Sequence, residues 1–246
     1  MPIIYLSPST QEFNYYVNGG TEEYYMNLLA DKMVPYLDAS GIRYSRNTPD
    51  MTAASSIAAS NAGNYDLHFA LYSNAAAAAQ AGKAQGSVVF YYPTSTEGRR
   101  AAQLVADGLK AIYPDPNLVR AQSTTSLGEV ARVRAPAILL ELAFHDNPED
   151  AAWIKNNLDE VARNLVLSLT EYFGIPFFEA ENRRDGVVDV SWGNLNIRAR
   201  PDRNAPILAQ APDGAPLTIL NSADGWHLVE FNGTIGYVNG DYVTLL

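Results

Sequence analysis

The sequence predicts an α/β domain, with a mostly parallel sheet covered by helices on both faces, followed by a small all-β barrel. Three observations predict this. Residues 1–174 alternate short apolar runs with helical patterns of ten or more residues, as parallel sheets with helical crossovers do. After Phe173 the pattern changes to short alternating runs separated by turn dipeptides. The total of 246 residues leaves room for one large domain and one small one.

Each predicted strand is a short apolar or β-branched run, and each predicted helix has apolar residues three and four positions apart. The first helix begins near Thr21 and stops at Gly41. The last begins at Pro148, and the preceding Asn147 has the side chain of an N-cap. The strands are predicted at Ile3–Leu6, Ile42–Arg46, Asp66–Ser73, Gly86–Tyr92 and Ala137–Phe144, and the other helices at Met51–Asn61, Glu97–Tyr113 and 148–173.

The segment Asn74–Gln85 is rich in alanine but has no apolar period. It follows a predicted strand directly. We therefore expect a mobile loop at the carboxyl edge of the sheet, where the sites of open α/β sheets gather.

The domain boundaries follow from the change in composition. We predict a larger domain over 1–174, a linker over 175–185 and a small β-domain over 186–246. The last segment, of about 60 residues, is near the lower size limit for independent stability. Its turn signals are Pro212-Asp213-Gly214, Asp224-Gly225, Asn232-Gly233 and Asn239-Gly240.

Composition excludes several classes of function. The 27 acidic and 17 basic residues give a net charge of −10, which argues against binding of nucleic acid or an anionic membrane. No apolar stretch is long enough to span a membrane. The chain has no cysteine, which excludes disulfides, thiolate zinc sites and cysteine nucleophiles. Any metal or acid–base site must use carboxylates and the three histidines, His68, His145 and His227.

The N-terminus, Met1–Leu6, has no basic segment and no sustained apolar run. It is typical of a strand rather than a signal peptide. We expect a protein that stays in the cytoplasm until release, or one whose export signal has been removed.

The C-terminal segment resembles the bacterial SH3-like domain over nearly all of 186–246. The resemblance rests on 195–198 (LNIR), Pro201, Gly225-Trp226, 233–238 (GTIGYV) and Asp241-Tyr242. It implies binding to bacterial peptidoglycan. The exposed faces of Trp192, Trp226, Tyr237 and Tyr242 could contact sugars or stem peptides, while Trp226 and Tyr237 could equally be barrel core.

Four segments of the larger domain resemble zinc-dependent N-acetylmuramoyl-L-alanine amidases of autolysins and endolysins. They are 6–11 (LSPSTQ), 20–27 (GTEEYYMN), 66–75 (DLHFALYSNA) and 136–150 (PAILLELAFHDNPED). The resemblance implies zinc as cofactor and the glycan-peptide of peptidoglycan as partner. It also implies that the amide between the muramoyl lactyl group and L-alanine is hydrolysed.

Residue by residue, the resemblance assigns Glu23 to the metal-binding carboxylate and Glu141 to the catalytic one. Glu22 competes with Glu23, because a carboxylate at a helix start also serves the macrodipole. Thr10 and Tyr72 stand where the family has its two metal-binding histidines. A phenol must lose a proton before it binds zinc, so the expected zinc site is degenerate.

The larger domain has two histidines that are candidates to replace the missing metal ligands. His68 lies four residues before Tyr72 on one predicted strand, about 13 Å away, which is too far for a shared metal. His145 follows the Glu141 strand and could act as ligand, acid or transition-state donor, or be an ordinary loop residue. Gln11 and Glu12 could supply oxygen atoms to the first loop.

Two functions remain open from the sequence. The first is a peptidoglycan hydrolase of the amidase type, with Glu141 and His145 as catalytic residues. The second is a catalytically silent amidase fold that binds peptidoglycan, which the residues at positions 10 and 72 favour. A serine hydrolase has little support, because no Gly-x-Ser-x-Gly motif is present.

Overall fold

The computed structural model describes residues 1–179 and 184–246. Most of the predicted linker is described, but residues 180–183 lie outside this range. The chain forms two compact units, and the smaller unit groups the C-terminal segment with the end of the first helix. The larger unit comprises Ile3–Val34 and Tyr44–Tyr172, and the smaller one Met1–Pro2, Pro35–Arg43 and Phe173–Leu246.

The larger unit is built on a six-stranded sheet in the order β2-β1-β3-β6-β4-β5. Its strands are β1 (Ile3–Pro8), β2 (Arg43–Arg46), β3 (Leu67–Asn74), β4 (Val88–Tyr91), β5 (Arg120–Ser123) and β6 (Ala137–Phe144). Its helices are α1 (Glu22–Ala39), α2 (Ala53–Ala62), α3 (Thr96–Lys110), α4 (Gly128–Ala131) and α5 (Pro148–Phe173).

The prediction of a mostly parallel sheet is confirmed. The pairs β1–β3, β3–β6 and β4–β5 are parallel, and β4–β6 is antiparallel. Consecutive residues along β1 and β3 are buried, as expected for strands covered on both faces. Asn147 caps α5, because its Oδ1 accepts from the backbone N–H groups of Glu149 and Asp150 at 2.9 and 3.2 Å.

Two elements of this unit were not predicted. The strand β5 has the polar sequence Arg-Ala-Gln-Ser, and it pairs only at the edge of the sheet. The helix α4 has four residues, too few for an apolar period. The alanine-rich segment after β3 contains one turn of 3₁₀ helix, Ala78–Gln80.

The C-terminal segment forms a seven-stranded sheet in the order β13-β7-β10-β11-β12-β8-β9, and its pairs are antiparallel. This confirms the all-β prediction. The strands are β7 (Arg184–Val188), β8 (Asn194–Arg198), β9 (Ile207–Pro212), β10 (Pro216–Ala223), β11 (Trp226–Phe231), β12 (Thr234–Asn239) and β13 (Val243–Leu245).

Two predicted turns close the hairpins of this barrel. Asp224-Gly225 joins β10 to β11 and Asn232-Gly233 joins β11 to β12, with positive φ at both residues of each pair. Such φ values define the tight turns that match strand twist. Asn239 differs from the prediction: its Oδ1 accepts from the Asp241 N–H and caps a 3₁₀ turn. Tyr237 is fully buried, whereas Trp192 is 87% exposed.

No helix in the described ranges combines the length and apolar character that a membrane crossing requires.

Candidate active site

The strand ends of the central sheet bring the candidate residues together. Tyr72 on β3 pairs in register with Glu141 on the neighbouring β6. Side chains opposite each other in adjacent strands project to the same face. Helix α1 starts at Glu22, and its buried first residue reaches this sheet edge, where its carboxylate meets the backbone of Ser73.

Glu22 is held in place by several hydrogen bonds although it is only 1% exposed. Its Oε2 accepts from Asn14 Nδ2 at 2.6 Å, and its Oε1 accepts from the Ser73 N–H at 3.3 Å. Burial raises the pKa of Glu22; hydrogen bonds from Asn14, Ser9 and Ser73 and the positive charge that His145 can carry oppose this.

Glu141 carries the most perturbed carboxyl group of the site. Burial, and secondarily the charge of Glu22, raises the pKa of Glu141 to about 8. Its Oε2 is inaccessible to solvent and accepts no hydrogen bond within the described part of the chain. A proton held on this carboxyl removes the repulsion between the two neighbouring glutamates.

His145 is 5% exposed and fixed by its surroundings. Its Nδ1 lies 3.1 Å from the Ser73 carbonyl oxygen and 3.2 Å from Ser73 Oγ. A carbonyl can only accept, so Nδ1 carries a proton in this arrangement. The ring stacks on Tyr16 with centroids 5.5 Å apart, and the His145 carbonyl accepts from the Val17 N–H. In the neutral ring, Nε2 is then the basic nitrogen.

Tyr72 is 7% exposed, and its hydroxyl donates to Glu129 Oε1 over 3.4 Å. Burial raises the pKa of Tyr72, and the carboxylates Glu129, Glu22 and Glu141 raise it further. The phenol therefore stays protonated near neutral pH and serves as a hydrogen-bond donor.

A second cluster of buried polar side chains lies on the same face of β3. His68 Nε2 is 2.5 Å from Glu129 Oε2, and His68 Nδ1 is 2.9 Å from Ser60 Oγ. Ser7 Oγ donates to Glu129 Oε1 at 3.3 Å. Glu129 thus connects His68 at the beginning of β3 to Tyr72 near its end. His68 itself pairs in register with Ala137, four positions from the Tyr72–Glu141 pair.

The other candidate residues lie around this cluster. Glu23 is half-buried, and its Oε1 accepts from Asn27 Nδ2 at 3.2 Å. The structure thus brings Glu22, rather than Glu23, to Glu141. Thr10 is half-buried in the segment after β1. Gln11 Oε1 accepts from Asn14 Nδ2, and Glu12 is exposed.

The chain matches the profile of a known protein family. The profile of the family described as N-acetylmuramoyl-L-alanine amidase matches residues 10–171, which is more than half of the chain. The chain belongs to the N-acetylmuramoyl-L-alanine amidase family. The profile described as bacterial SH3 domain matches residues 193–244, so this amidase-family chain carries a C-terminal SH3 domain.

One curated relative of this chain is also named as an amidase. Protein YrvJ of Bacillus subtilis (strain 168), provisionally named an N-acetylmuramoyl-L-alanine amidase, is 40% identical over 58 residues. That match covers 24% of this chain and 11% of YrvJ, so the chain spans about a tenth of this curated relative.

Solved structures share the amidase fold at low identity. The catalytic domain of the CD27L endolysin, which targets Clostridia difficile, is 20% identical with a TM-score of 0.57 and covers 70% of this chain and 98% of its own. An amidase of Clostridium difficile 630 is 18% identical with a TM-score of 0.62 and covers 70% and 97%. At these identities the likeness concerns the fold.

The described side chains do not form a site for the zinc that the resemblance implies. Catalytic zinc takes three protein ligands. Over residues 1–179 and 184–246, no three histidine, aspartate or glutamate side chains are arranged to hold a metal ion. The Tyr72 hydroxyl donates to Glu129 instead. The donor set as positioned here does not fit a three-ligand zinc site.

Sequence reasoning missed several residues of this site. Asn14 and Tyr16 come from a loop with no amidase motif, and residues 13–17 (FNYYV) have no pattern that separates inward from outward side chains. Glu129 had no local signal, because it lies on a single helical turn 57 residues beyond Tyr72. From the sequence, Glu22 is only an alternative to Glu23 as the metal-binding carboxylate.

Proposed function

We propose that this chain hydrolyses the amide between the muramoyl lactyl group and L-alanine in bacterial peptidoglycan. The observation that supports this most directly is a pair of interacting carboxyl groups, Glu22 and Glu141, each with a pKa raised by burial, of which Glu22 also interacts with His145. The pair lies inside the segment that matches the amidase family. Perturbed carboxyl pairs next to a histidine are typical of sites that move protons.

In this proposal Glu141 is the catalytic base. Glu141 is half-buried, and we propose that the accessible part of its carboxyl group meets the attacking water, while Oε2, without a partner among the described residues, lies out of reach of solvent. The charge of Glu22 contributes to raising the pKa of Glu141 to about 8, which makes its carboxylate a stronger base than an ordinary glutamate. Glu141 takes a proton from the attacking water and returns it to the departing amine of L-alanine.

His145 is proposed as the donor at the opposite side of the reacting carbonyl. Its ring is fixed by Ser73 and by stacking on Tyr16. When protonated, the Nε2–H donates a hydrogen bond to the oxygen that becomes negative in the transition state. A fixed ring avoids reorganisation at that moment, which is the condition for effective stabilisation.

The SH3 domain is proposed to hold the chain on the cell wall. A groove of about 680 Å³ on the barrel is lined by Trp192, Trp226, Tyr242, Arg198 and Arg203, among others. Aromatic faces suit sugars and peptides. We therefore place the site of action at the bacterial cell wall.

The test compares glutamine variants of neighbouring glutamates on purified peptidoglycan. Wild type is expected to release peptides with a free L-alanine amino terminus, identified by mass spectrometry. Glu141→Gln should lower the rate by about 10²- to 10⁴-fold, the range for loss of a general base. Glu23→Gln is the matched control and should keep the rate, since the Glu23 carboxyl lies outside the cluster.

Other outcomes decide between the alternatives. A wild type that binds walls but releases nothing would contradict hydrolysis and leave the catalytically silent fold. Equal losses in Glu23→Gln and Glu141→Gln would instead support the metal-binding role that the family resemblance assigns to Glu23.

Zinc is tested separately by metal analysis. Tyr72→His adds an imidazole beside Glu22, Glu141 and His145, so we expect zinc content to rise to about one ion per chain. Tyr72→Phe is the matched control. Stoichiometric zinc in the wild type would contradict the assessment of the donor set and restore a metal-dependent mechanism.

A further inference from the structure

The loop between β1 and α1 has two chemically different sides. Asn14 and Tyr16 point inward: Asn14 binds Glu22, and Tyr16 stacks on His145. Phe13, Tyr15 and Val17 alternate with them and are 67%, 72% and 54% exposed. The inward side chains of this loop therefore contact Glu22 and His145, and its outward apolar side chains are exposed to solvent.

A row of ring contacts connects the exposed Tyr24 to the catalytic cluster, and an isolated β-bridge between Tyr15 and Thr21 brings the loop beside the start of the same helix. Tyr24, in the first turn of α1, is 56% exposed and meets the Tyr25 ring edge-on at 5.0 Å between centroids. Tyr25 lies 4.7 Å from Tyr16, and Tyr16 lies 5.5 Å from His145. The exposed aromatic surface is thus an extension of the site.

The loop is held rigidly in this arrangement. Lys155 Nζ donates to the carbonyl oxygens of Asn18 and Gly19 at 2.9 and 2.6 Å, and it lies over the rings of Tyr16 and Tyr25. Gly20 has φ +85°, and a Cβ there would meet the Tyr25 ring at 2.5 Å. Only glycine allows both this backbone and the packed ring.

Charge indicates what kind of ligand this surface accepts. Between positions 11 and 25 the accessible charged side chains are the carboxylates of Glu12 and Glu23, and the nearby cation Lys155 is engaged by the Asn18 and Gly19 carbonyls. Such a surface repels phosphate-bearing polymers and anionic lipids. Large exposed apolar groups beside a site mark ligand-binding surfaces. Tyrosine combines a flat apolar face with a hydroxyl, which matches an uncharged sugar ring with apolar C–H faces and hydroxyl edges.

We infer that Phe13, Tyr15 and Tyr24 form a binding subsite for the glycan strand of peptidoglycan, which holds the sugars next to the muramoyl residue that is cleaved. This inference rests on the proposed function, since it concerns the same catalytic site. The subsite makes the enzyme prefer polymeric glycan over an isolated muramoyl peptide. Because the rings lie outside the reacting groups, they act on binding of the polymer and leave the chemical step unchanged.

The experiment compares two substrates with the full chain. One is uncross-linked glycan strands that carry stem peptides, and the other is N-acetylmuramoyl dipeptide, which has no neighbouring sugars. The double variant Tyr15→Ala, Tyr24→Ala should raise KM for the strands about tenfold, with unchanged kcat. It should leave kcat/KM for the small substrate unchanged. Tyr15→Phe, Tyr24→Phe keeps both rings and should behave like wild type.

Outcomes against the inference are equally distinct. An unchanged KM for the strands in the alanine variant overturns it. Equal losses on both substrates also overturn it, because they would show a disturbed catalytic site instead of a lost subsite. Binding to phosphatidylcholine vesicles is measured as well. If the alanine variant still binds the strands but no longer binds the vesicles, the surface binds a membrane and the inference is wrong.

Failure of the proposed function is separated by a binding measurement. If wild type cleaves neither substrate, hydrolysis is wrong, and the subsite is decided by titration with peptide-free glycan strands. An approximately tenfold weaker Kd in the alanine variant than in the phenylalanine variant would then support the subsite. Equal Kd values would overturn it.

Discussion

The two parts of the chain differ in which polar side chains they bury. Up to residue 179, the buried side chains include Glu22, Glu129, His68 and His145, together with many hydroxyls and amides. The described barrel, 184–246, has a core of aliphatic side chains, and its buried set contains no ionisable group apart from the phenol of Tyr237. Burying charge costs stability unless partners compensate. In the function that we propose, the larger part needs these groups to move protons, whereas the barrel binds its ligand with side chains at its surface.

The largest expected effect concerns the buried pair of His68 and Glu129. Glu129→Ala should lower the free energy of unfolding by about 3–5 kcal/mol, because it leaves His68, Tyr72 and Ser7 without their shared acceptor. Urea denaturation checks this. Glu97→Ala breaks an exposed pair with Arg100 and should cost at most about 1 kcal/mol. Similar small losses in both variants would erase the contrast between buried and exposed pairs.

The next effect is the pH dependence of the catalytic carboxyls. Glu141 has its pKa raised from 4.5 to about 8, so the folded state binds a proton that the unfolded state has released. This contribution to stability is complete below pH 4.5 and is lost as the pH rises through about 8. We expect the loss to be a few kcal/mol and to be flattened in Glu141→Gln. Glu23→Gln is the control, and a pH profile unchanged by Glu141→Gln would contradict the assignment.

The barrel should show a smaller effect of opposite sign. Burial, and secondarily the charge of Arg184, lowers the pKa of His227, whose Nδ1 lies 2.6 Å from Ser222 Oγ. Stability from His227 is complete above its ordinary value of 6.5 and is lost as the pH falls through the lower folded value. Urea denaturation between pH 4 and 7 should show a shallower decline in His227→Gln. A steeper decline would mean that His227 does not titrate in this direction.

The smallest effect on stability should come from Trp192 on the barrel surface. Trp192→Ala should change the free energy of unfolding by no more than about 0.5 kcal/mol, because the side chain is 87% exposed. Cosedimentation with cell walls should nevertheless fall, while Trp192→Phe should retain most of the binding. A large loss of stability would show that Trp192 supports the fold instead of a ligand.

Much of this fold could be predicted because its elements have local causes. The runs that form β3 and β6 are mostly apolar, and this favours strands buried on both faces. Asn147 and Pro148 mark the start of α5 through capping chemistry. Asp224-Gly225 and Asn232-Gly233 identify their turns because both need positive φ. By contrast, the polar β5 and the single turn of α4 depend on neighbours distant in sequence.

The candidate site could be predicted only in part. Glu141 was identifiable because a lone carboxylate in an apolar strand needs a reason to be there. The choice between Glu22 and Glu23 required the direction of the first turn of α1, and the roles of Asn14 and Tyr16 required the path of the preceding loop. The spacing of His68 and Tyr72 on one strand predicts that they do not share a metal, whereas the partner of His68, Glu129, had no signal in the sequence.

By itself, the sequence determined which residue types were available: no cysteine, three histidines, and carboxylates placed in amidase-like segments. It also determined most of the strands, helices and turns, because periodicity and backbone preferences act over a few residues. Tertiary structure decided which of these groups meet. The charge of Glu22 acts on Glu141, and Glu129 joins His68 to Tyr72, because pairing between strands and helix packing bring together residues that are tens of positions apart in the chain.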